Sequence, residues 1–204
     1  MGTPADALVP RALFGGALEL ALPARLVDVS DFRPVPDAQE VWADGDVDQS
    51  LVVEALELAA AVPDAEAAAF YFADLAAANG AALAAPSAAE LLHPGALPGV
   101  LPARVRAAGL LVGEQAVAKS RDAALNKVQV CLLVLRLPDF ATDLLLTLNT
   151  PVFVAEGSSG GGAAGPGFRP GALEAPALFR RIVATLRIVD FGLFGGAGGG
   201  GGAA

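Results

Sequence analysis

One cysteine, one tyrosine, one tryptophan and one histidine in 204 residues leave few parts for side-chain chemistry. A lone thiol, Cys131, excludes an internal disulfide and fits a reducing compartment. With His93 as the only imidazole, no His/Cys cluster or zinc spacing exists. A Cys–His nucleophilic pair would need His93, which precedes Pro94 in an irregular stretch, to reach an apolar strand. Cys131, beside Leu132 and Leu133, is expected as a buried, inert thiol, and His93 as an exposed loop residue.

Long apolar runs are missing too. None reaches the roughly 18 residues needed to span a bilayer, and the longest candidate, residues 128–137, contains Gln129 and Arg136. The opening MGTPADALVP has neither a basic region nor a long apolar core, so no secretory signal is expected. Asp6 stands where a myristoylation site wants Ser or Thr. Positive charge is scarce: 13 Lys and Arg against 22 Asp and Glu give a net −9. That balance argues against nucleic acid or anionic membrane as the main partner and favours a partner with a basic surface. The glycine runs at 160–162 and 198–202 lack the Lys-Ser/Thr of a phosphate loop, and Gly15-Gly16 precedes a strand rather than a helix.

What is present reads as alternating strands and helices. Residues before Leu13 look like a loose tail. From 17 to 22, Leu18, Leu20 and Leu22 alternate with Ala17, Glu19 and Ala21, a period-2 strand that Pro23 ends. Asp28 or Ser30 caps a helical turn, a strand resumes near 39–42, and Asp44-Gly45-Asp46 is a hairpin turn leading to 51–58, where Val52-Val53 favour a strand while Leu51, Ala55 and Leu58 also fit a helical stripe. A helix starts at Pro63-Asp64, with Asp64 as its cap, and stops at Asn79-Gly80. Residues 81–102, rich in Ala, Pro and Gly, are expected as an irregular excursion with at most a short helix or strand. Strands follow over 110–113 and from 115 to about 120, and the strongest pair is 126–137 with 142–149 around Leu137-Pro138-Asp139-Phe140. Residues 156–171 have linker composition, and Pro176 opens a helix whose apolar stripe is Leu178, Phe179, Ile182, Val183 and Leu186. Residues 195–204 form a glycine-rich tail expected to be disordered.

These elements predict an α+β fold: an α/β/α sandwich with a mainly antiparallel central sheet flanked by helices. Leu133, Leu135, Leu144 and Leu146 should lie in its interior, covered by Ile182 and Leu186. One domain is expected over 13–194, with flexible segments at 1–12 and about 156–171.

Several spaced polar and glycine positions carry a more specific signal. They are Leu13-Phe14-Gly15-Gly16-Ala17, Pro23, Asp28, Ser30, Arg33, Val35-Pro36-Asp37, Gln39-Glu40-Val41 and Asp48-Gln49-Ser50-Leu51-Val52-Val53-Glu54 with Leu56-Glu57. The aromatic-rich 70–75, Leu135-Arg136-Leu137, Thr142-Asp143-Leu144 and Asn149-Thr150-Pro151 continue it. Together they resemble the Ran guanine nucleotide release factor family, small nuclear-transport proteins with a PsbP-like fold. The resemblance spans most of 13–194, with gaps at 81–102 and 156–171.

It implies a non-enzymatic protein that binds the small GTPase Ran, promotes nucleotide release, works in nucleus and cytoplasm, and needs no cofactor or metal. It further implies that the Ran contact includes Glu54 and Glu57, which Asp37, Glu40, Asp48 and the acidic turn around Asp44 would widen. On residue chemistry alone, Asp37 and Glu40 serve equally as turn formers around Pro36. A regular strand would send Glu54 and Glu57 to opposite faces, because their separation is odd. A shared surface therefore requires an exposed strand end, a bulge or a helical turn near Ala55-Leu56. Two other readings remain at this point: a PsbP-type photosystem accessory subunit of the thylakoid lumen, and a hydrolase using Glu54 and Glu57 as acid and base.

Overall fold

A sheet of long antiparallel strands carries the molecule. The computed structural model describes residues 7–100, 104–118, 125–156 and 165–195. Its central strands are β8 (Leu125–Leu137) and β9 (Thr142–Val154), joined by a 3-10 turn over Pro138–Phe140 that closes with Ala141 in the left-handed region. Outward from β9 come β5 (Gln49–Glu57), β4 (Gln39–Asp44) and β3 (Val27–Asp28); outward from β8 come β7 (Ala107–Ala118) and β6 (Ala81–Leu91). Two-residue β10 (Gly167–Phe168) pairs with the far end of β9. A second sheet has the order β1 (Leu8–Leu13), β2 (Leu18–Pro23), β11 (Arg187–Ile188). Helix α1 (Ala67–Ala78) and helix α2 (Ala175–Val183) complete the fold.

Each face of the large sheet is covered, which is why β8 and β9 read as near-continuous apolar runs rather than alternating ones. On one face, Leu133 opposes Leu146 and Leu135 opposes Leu144, all fully buried under Phe179, Ile182 and Leu186 of α2 and its extension and under Leu18, Leu20 and Leu22 of β2. These are the interior positions expected from alternation. On the other face, Tyr71 and Phe72 of α1 pack on Leu111, Leu132, Val134 and Leu145. Gly113 makes that approach possible: a Cβ there would sit 2.6 Å from the Phe72 ring and 2.8 Å from the Ala85 carbonyl oxygen. The result is a mostly antiparallel sheet between two outer layers, α+β as expected, although one outer layer is helix plus a three-stranded sheet.

Four expectations change. The loose tail before Leu13 is, from Leu8 on, an edge strand in full register with β2, from Leu8–Pro23 to Leu13–Leu18. The irregular excursion at 81–102 begins with the eleven-residue strand β6. Its side chains are almost all exposed, so no burial alternation marks it, and Pro86 is tolerated because β6 lies at the edge, where the missing N–H costs no second partner. The two short strands expected over 110–120 are one strand, β7. Of the linker at 156–171, residues 157–164 lie outside the described residues, but Gly167–Phe168 is ordered against Val154 and Phe153. The tail after 195 also lies outside them.

Candidate functional site

The acidic residues singled out in the sequence distribute along the β4–β5 hairpin, and the hairpin register separates them. Gln39 opposes Glu54, Glu40 opposes Val53 and Asp44 opposes Gln49, without a bulge. Asp48, with φ of 55° in the turn, therefore lies at one end of β5 and Glu57 at the other, about 30 Å apart at ~3.3 Å per residue. Asp48 and Glu57 cannot belong to one compact patch.

At the turn end, Asp44 is consumed internally while Asp46 stays exposed. Asp44 is 6% exposed; one carboxylate oxygen accepts from the Asp46 backbone N–H at 2.8 Å and the other from Arg25 Nη1 at 3.0 Å. Arg25 also donates to Gln49 Oε1 at 2.5 Å, and Gln49 donates to Thr150 Oγ1 at 2.7 Å. Asp44 itself adds no free charge to an acidic patch, because it is neutralised under the turn.

At the opposite end, the charges face outward. Glu57 is exposed and ends β5, beyond the partner of Gln39, the first residue of β4. Glu54 is half-buried and accepts from Gln39 Nε2 at 2.5 Å. Asp37 is exposed in the loop entering β4. Glu40 works structurally, since its Oε1 accepts the Phe14 N–H at 2.5 Å and ties the Phe14–Gly16 turn to the large sheet. The pairing of β5 with β9 is also uninterrupted from Ser50 to Glu57. Glu54 thus shares the α1 face with Leu56, and Glu57 the α2 face with Ala55. Of the three ways to a shared surface, bulge and helical turn are ruled out; the exposed strand end is what the fold provides. Carboxylates leaving opposite faces of a regular strand are unsuited to flanking one bond as general acid and base.

Directly behind Glu57 lies a buried polar network. Arg136 (1% exposed) and Asp143 (fully buried) oppose each other across the β8–β9 hairpin, with Arg136 Nε donating to Asp143 Oδ1 at 3.2 Å. Tyr71 donates to Asp143 Oδ2 at 2.7 Å. Burial, then the Asp143 carboxylate, push the Tyr71 hydroxyl well above the ordinary tyrosine range. Arg136 Nη1 also reaches Asp64 Oδ1 at 2.8 Å, and Arg106 holds the same oxygen. Asp64 consequently makes no capping bond for the helix it precedes, contrary to expectation.

The lone cysteine and histidine are as expected. Cys131 is fully buried in β8, and burial raises its thiol to about 12. His93 is exposed, its Nδ1 accepting the Gly95 N–H at 3.1 Å. Among the described residues no group of His, Cys, Asp and Glu could hold a metal ion.

Comparison with known proteins decides the family. The Ran-interacting Mog1 protein family matches residues 11–151. The chain belongs to this family. It is 37% identical to the Ran guanine nucleotide release factor of Danio rerio over 185 residues, covering 91% of this chain and 99% of that one. The Homo sapiens protein of the same name is 42% identical over 139 residues, 68% of this chain and 74% of its own. The crystal structure of the Saccharomyces cerevisiae Ran-binding protein Mog1p matches with a TM-score of 0.66 at 23% identity, over 92% of this chain and 100% of that one. The Mog1 fold is therefore shared, and the resemblance read from the motifs is borne out.

Arg136, Asp143 and Tyr71 fall within the family motifs, yet sequence reasoning assigns them no role. A signal for two of them exists. A charge on each of two apolar strands, equidistant from the four-residue connection Pro138–Ala141, must meet its opposite across a hairpin.

Proposed function

We propose that this chain binds the small GTPase Ran and promotes release of its guanine nucleotide, serving nuclear transport as a non-enzymatic binding protein. The observation that carries this is the identity of 37% across 99% of the zebrafish release factor's length. The acidic end of β5 supplies a physical means: exposed Glu57 at the strand end, with half-buried Glu54 on the other face and exposed Asp37 in the loop entering β4, offers negative charge to basic side chains of the partner. Asp48 and Glu40 are given no direct share in that contact, since one lies at the far turn and the other is tied to Phe14. The same reading carries a single Ran-binding domain, extended by β1 from the expected 13–194 back to Leu8, a PsbP-like fold, a monomer, and residence in nucleus and cytoplasm.

To release nucleotide, the chain must bind nucleotide-poor Ran more tightly than GTP-loaded Ran, because equal affinity shifts nothing. By linkage, GTP weakens the complex by the same factor. The test is binding to Ran loaded with GTP, loaded with GDP or stripped with EDTA, alongside release of a fluorescent guanine nucleotide. Preference for stripped Ran and faster release are expected; equal affinity for all three states refutes the proposal.

A further inference from the structure

The hydrogen bonds of the buried network converge on the segment that follows Glu57. Asp143 Oδ2 accepts the Ala59 N–H at 3.0 Å, while Arg136 donates through Nη2 to the Ala59 carbonyl at 2.6 Å and through Nη1 to the Val62 carbonyl at 2.5 Å. Leu58 N–H donates to the Ala141 carbonyl at 2.8 Å, in the turn linking the strands that bear the two charges. The Tyr71 hydroxyl, donating to Asp143, lies 3.4 Å from the carbonyl oxygen of Glu57 itself. A buried ion pair adds little stability over well-packed apolar residues of similar volume, so its use here lies in where its bonds go. They go to both backbone groups of Ala59 and to the carbonyl of Val62, fixing the chain as it leaves the sheet.

We infer that Arg136, Asp143 and Tyr71 are positioning residues for the Ran contact: they hold the exit of β5 so that Glu57 projects in one fixed geometry from the strand end. This rests on the Ran-binding reading with Glu57 in the contact. Without the network, residues 58–63 would be an ordinary connection, and the end of β5 would be held only by its last ladder pair, Glu57 with Thr142, and could fray before binding. Order imposed in the free protein is order that binding need not impose. The polar fork of Arg136 suits this role because its planar donors address two carbonyls and two carboxylates at once.

The experiment is a double-mutant cycle on affinity for EDTA-stripped Ran with Tyr71→Phe, Glu57→Gln and both together. Each change is small in volume, and circular dichroism and a thermal midpoint verify folding. Glu57→Gln is expected to weaken binding about tenfold and Tyr71→Phe about threefold, as for contacts of moderate weight. The double variant should bind no more weakly than Glu57→Gln alone, a coupling that a merely destabilising change would not produce. If Glu57→Gln binds like the wild type, Glu57 is not in the contact and both readings of this site fall. If Glu57→Gln weakens binding but Tyr71→Phe does not, or if the two losses simply multiply, only the positioning role is overturned. Arg136→Lys, which retains charge but loses the fork, repeats the cycle should Tyr71→Phe fail to fold; multiplying losses there overturn the inference equally.

Discussion

The two ends of the β4–β5 hairpin each carry engaged and exposed acids, but only the turn end buries one against a cation. At the turn, Asp44 is buried, paired with Arg25 and bonded to the Asp46 N–H. At the other end, Glu57 and Asp37 are exposed, and Glu54 engages only a neutral amide. Net charge and local acid density do not distinguish these ends; the position of one arginine does. A charge that the fold has already neutralised has little left for a partner. The lesson is that an acidic surface must be counted after the internal pairs are removed.

Removing the cation from a closed network should show what internal neutralisation is worth. Arg136→Ala leaves Asp143 buried without a counter-charge and frees the carbonyls of Ala59 and Val62. A loss of about 3–5 kcal/mol is expected in urea unfolding, and one below about 1 kcal/mol would mean that water replaces the guanidinium. The turn end should respond in the same way, more weakly. Asp44→Ala leaves the Asp46 N–H and Arg25 short of an acceptor, for a loss of about 1–3 kcal/mol. Ran affinity of the folded variant should stay unchanged; a drop would bring the turn end into the contact.

The open end should reverse that pattern. Glu54→Lys with Glu57→Lys should change stability by only about 0.5 kcal/mol each while lowering Ran affinity at least tenfold, about 1.4 kcal/mol. Wild-type association should slow as salt rises, which stopped-flow binding would reveal. A folded double variant with normal affinity removes these glutamates from the contact.

The smallest effect concerns pH. Tyr71 is the only tyrosine, so tyrosinate absorbance reports on it alone. Its folded-state pKa is raised above the ordinary 10.0, so the folded state binds the phenolic proton more tightly than the unfolded chain does. The stability tied to that proton is fully present below pH 10 and is lost as pH rises beyond it. Alkaline difference spectra should show no tyrosinate near pH 10 until the protein unfolds, and Tyr71→Phe should flatten the alkaline decline in thermal midpoint.

Much of the frame was legible because periodicity and turn chemistry agreed. The Leu18-Leu20-Leu22 alternation, the Asp44-Gly45-Asp46 turn, the Leu137–Phe140 connection and the stripe of α2 all stand where the residues put them. What escaped was the edge. Among the described residues, strand β1 and strand β6 are paired on one side only and have mostly accessible residues, so neither alternation nor β-branching was needed to form them. At the site, the family motifs pointed to Glu54 and Glu57, and the odd spacing stated the geometric difficulty correctly. Sequence could not reveal that Glu40 serves Phe14 or that Asp64 answers to two arginines, because those partners lie 26, 72 and 42 positions away in the chain.

The edge strand β6 also bears on how the molecule behaves in concentrated solution. Alanine-rich and nearly uncharged, it forms, among the described residues, the outer edge of the sheet, the kind of ladder on which chains stack into fibres. Its register against β7 shifts between Ala81 and Leu83 and again between Pro86 and Ala88. Each straight run, from Leu83 to Pro86 and from Ala88 to Leu91, falls short of the roughly six residues a steric zipper requires. Pro86 also withdraws one donor from the middle of the edge. Kinks and a missing hydrogen, rather than charge, thus keep this flank from templating its own copies.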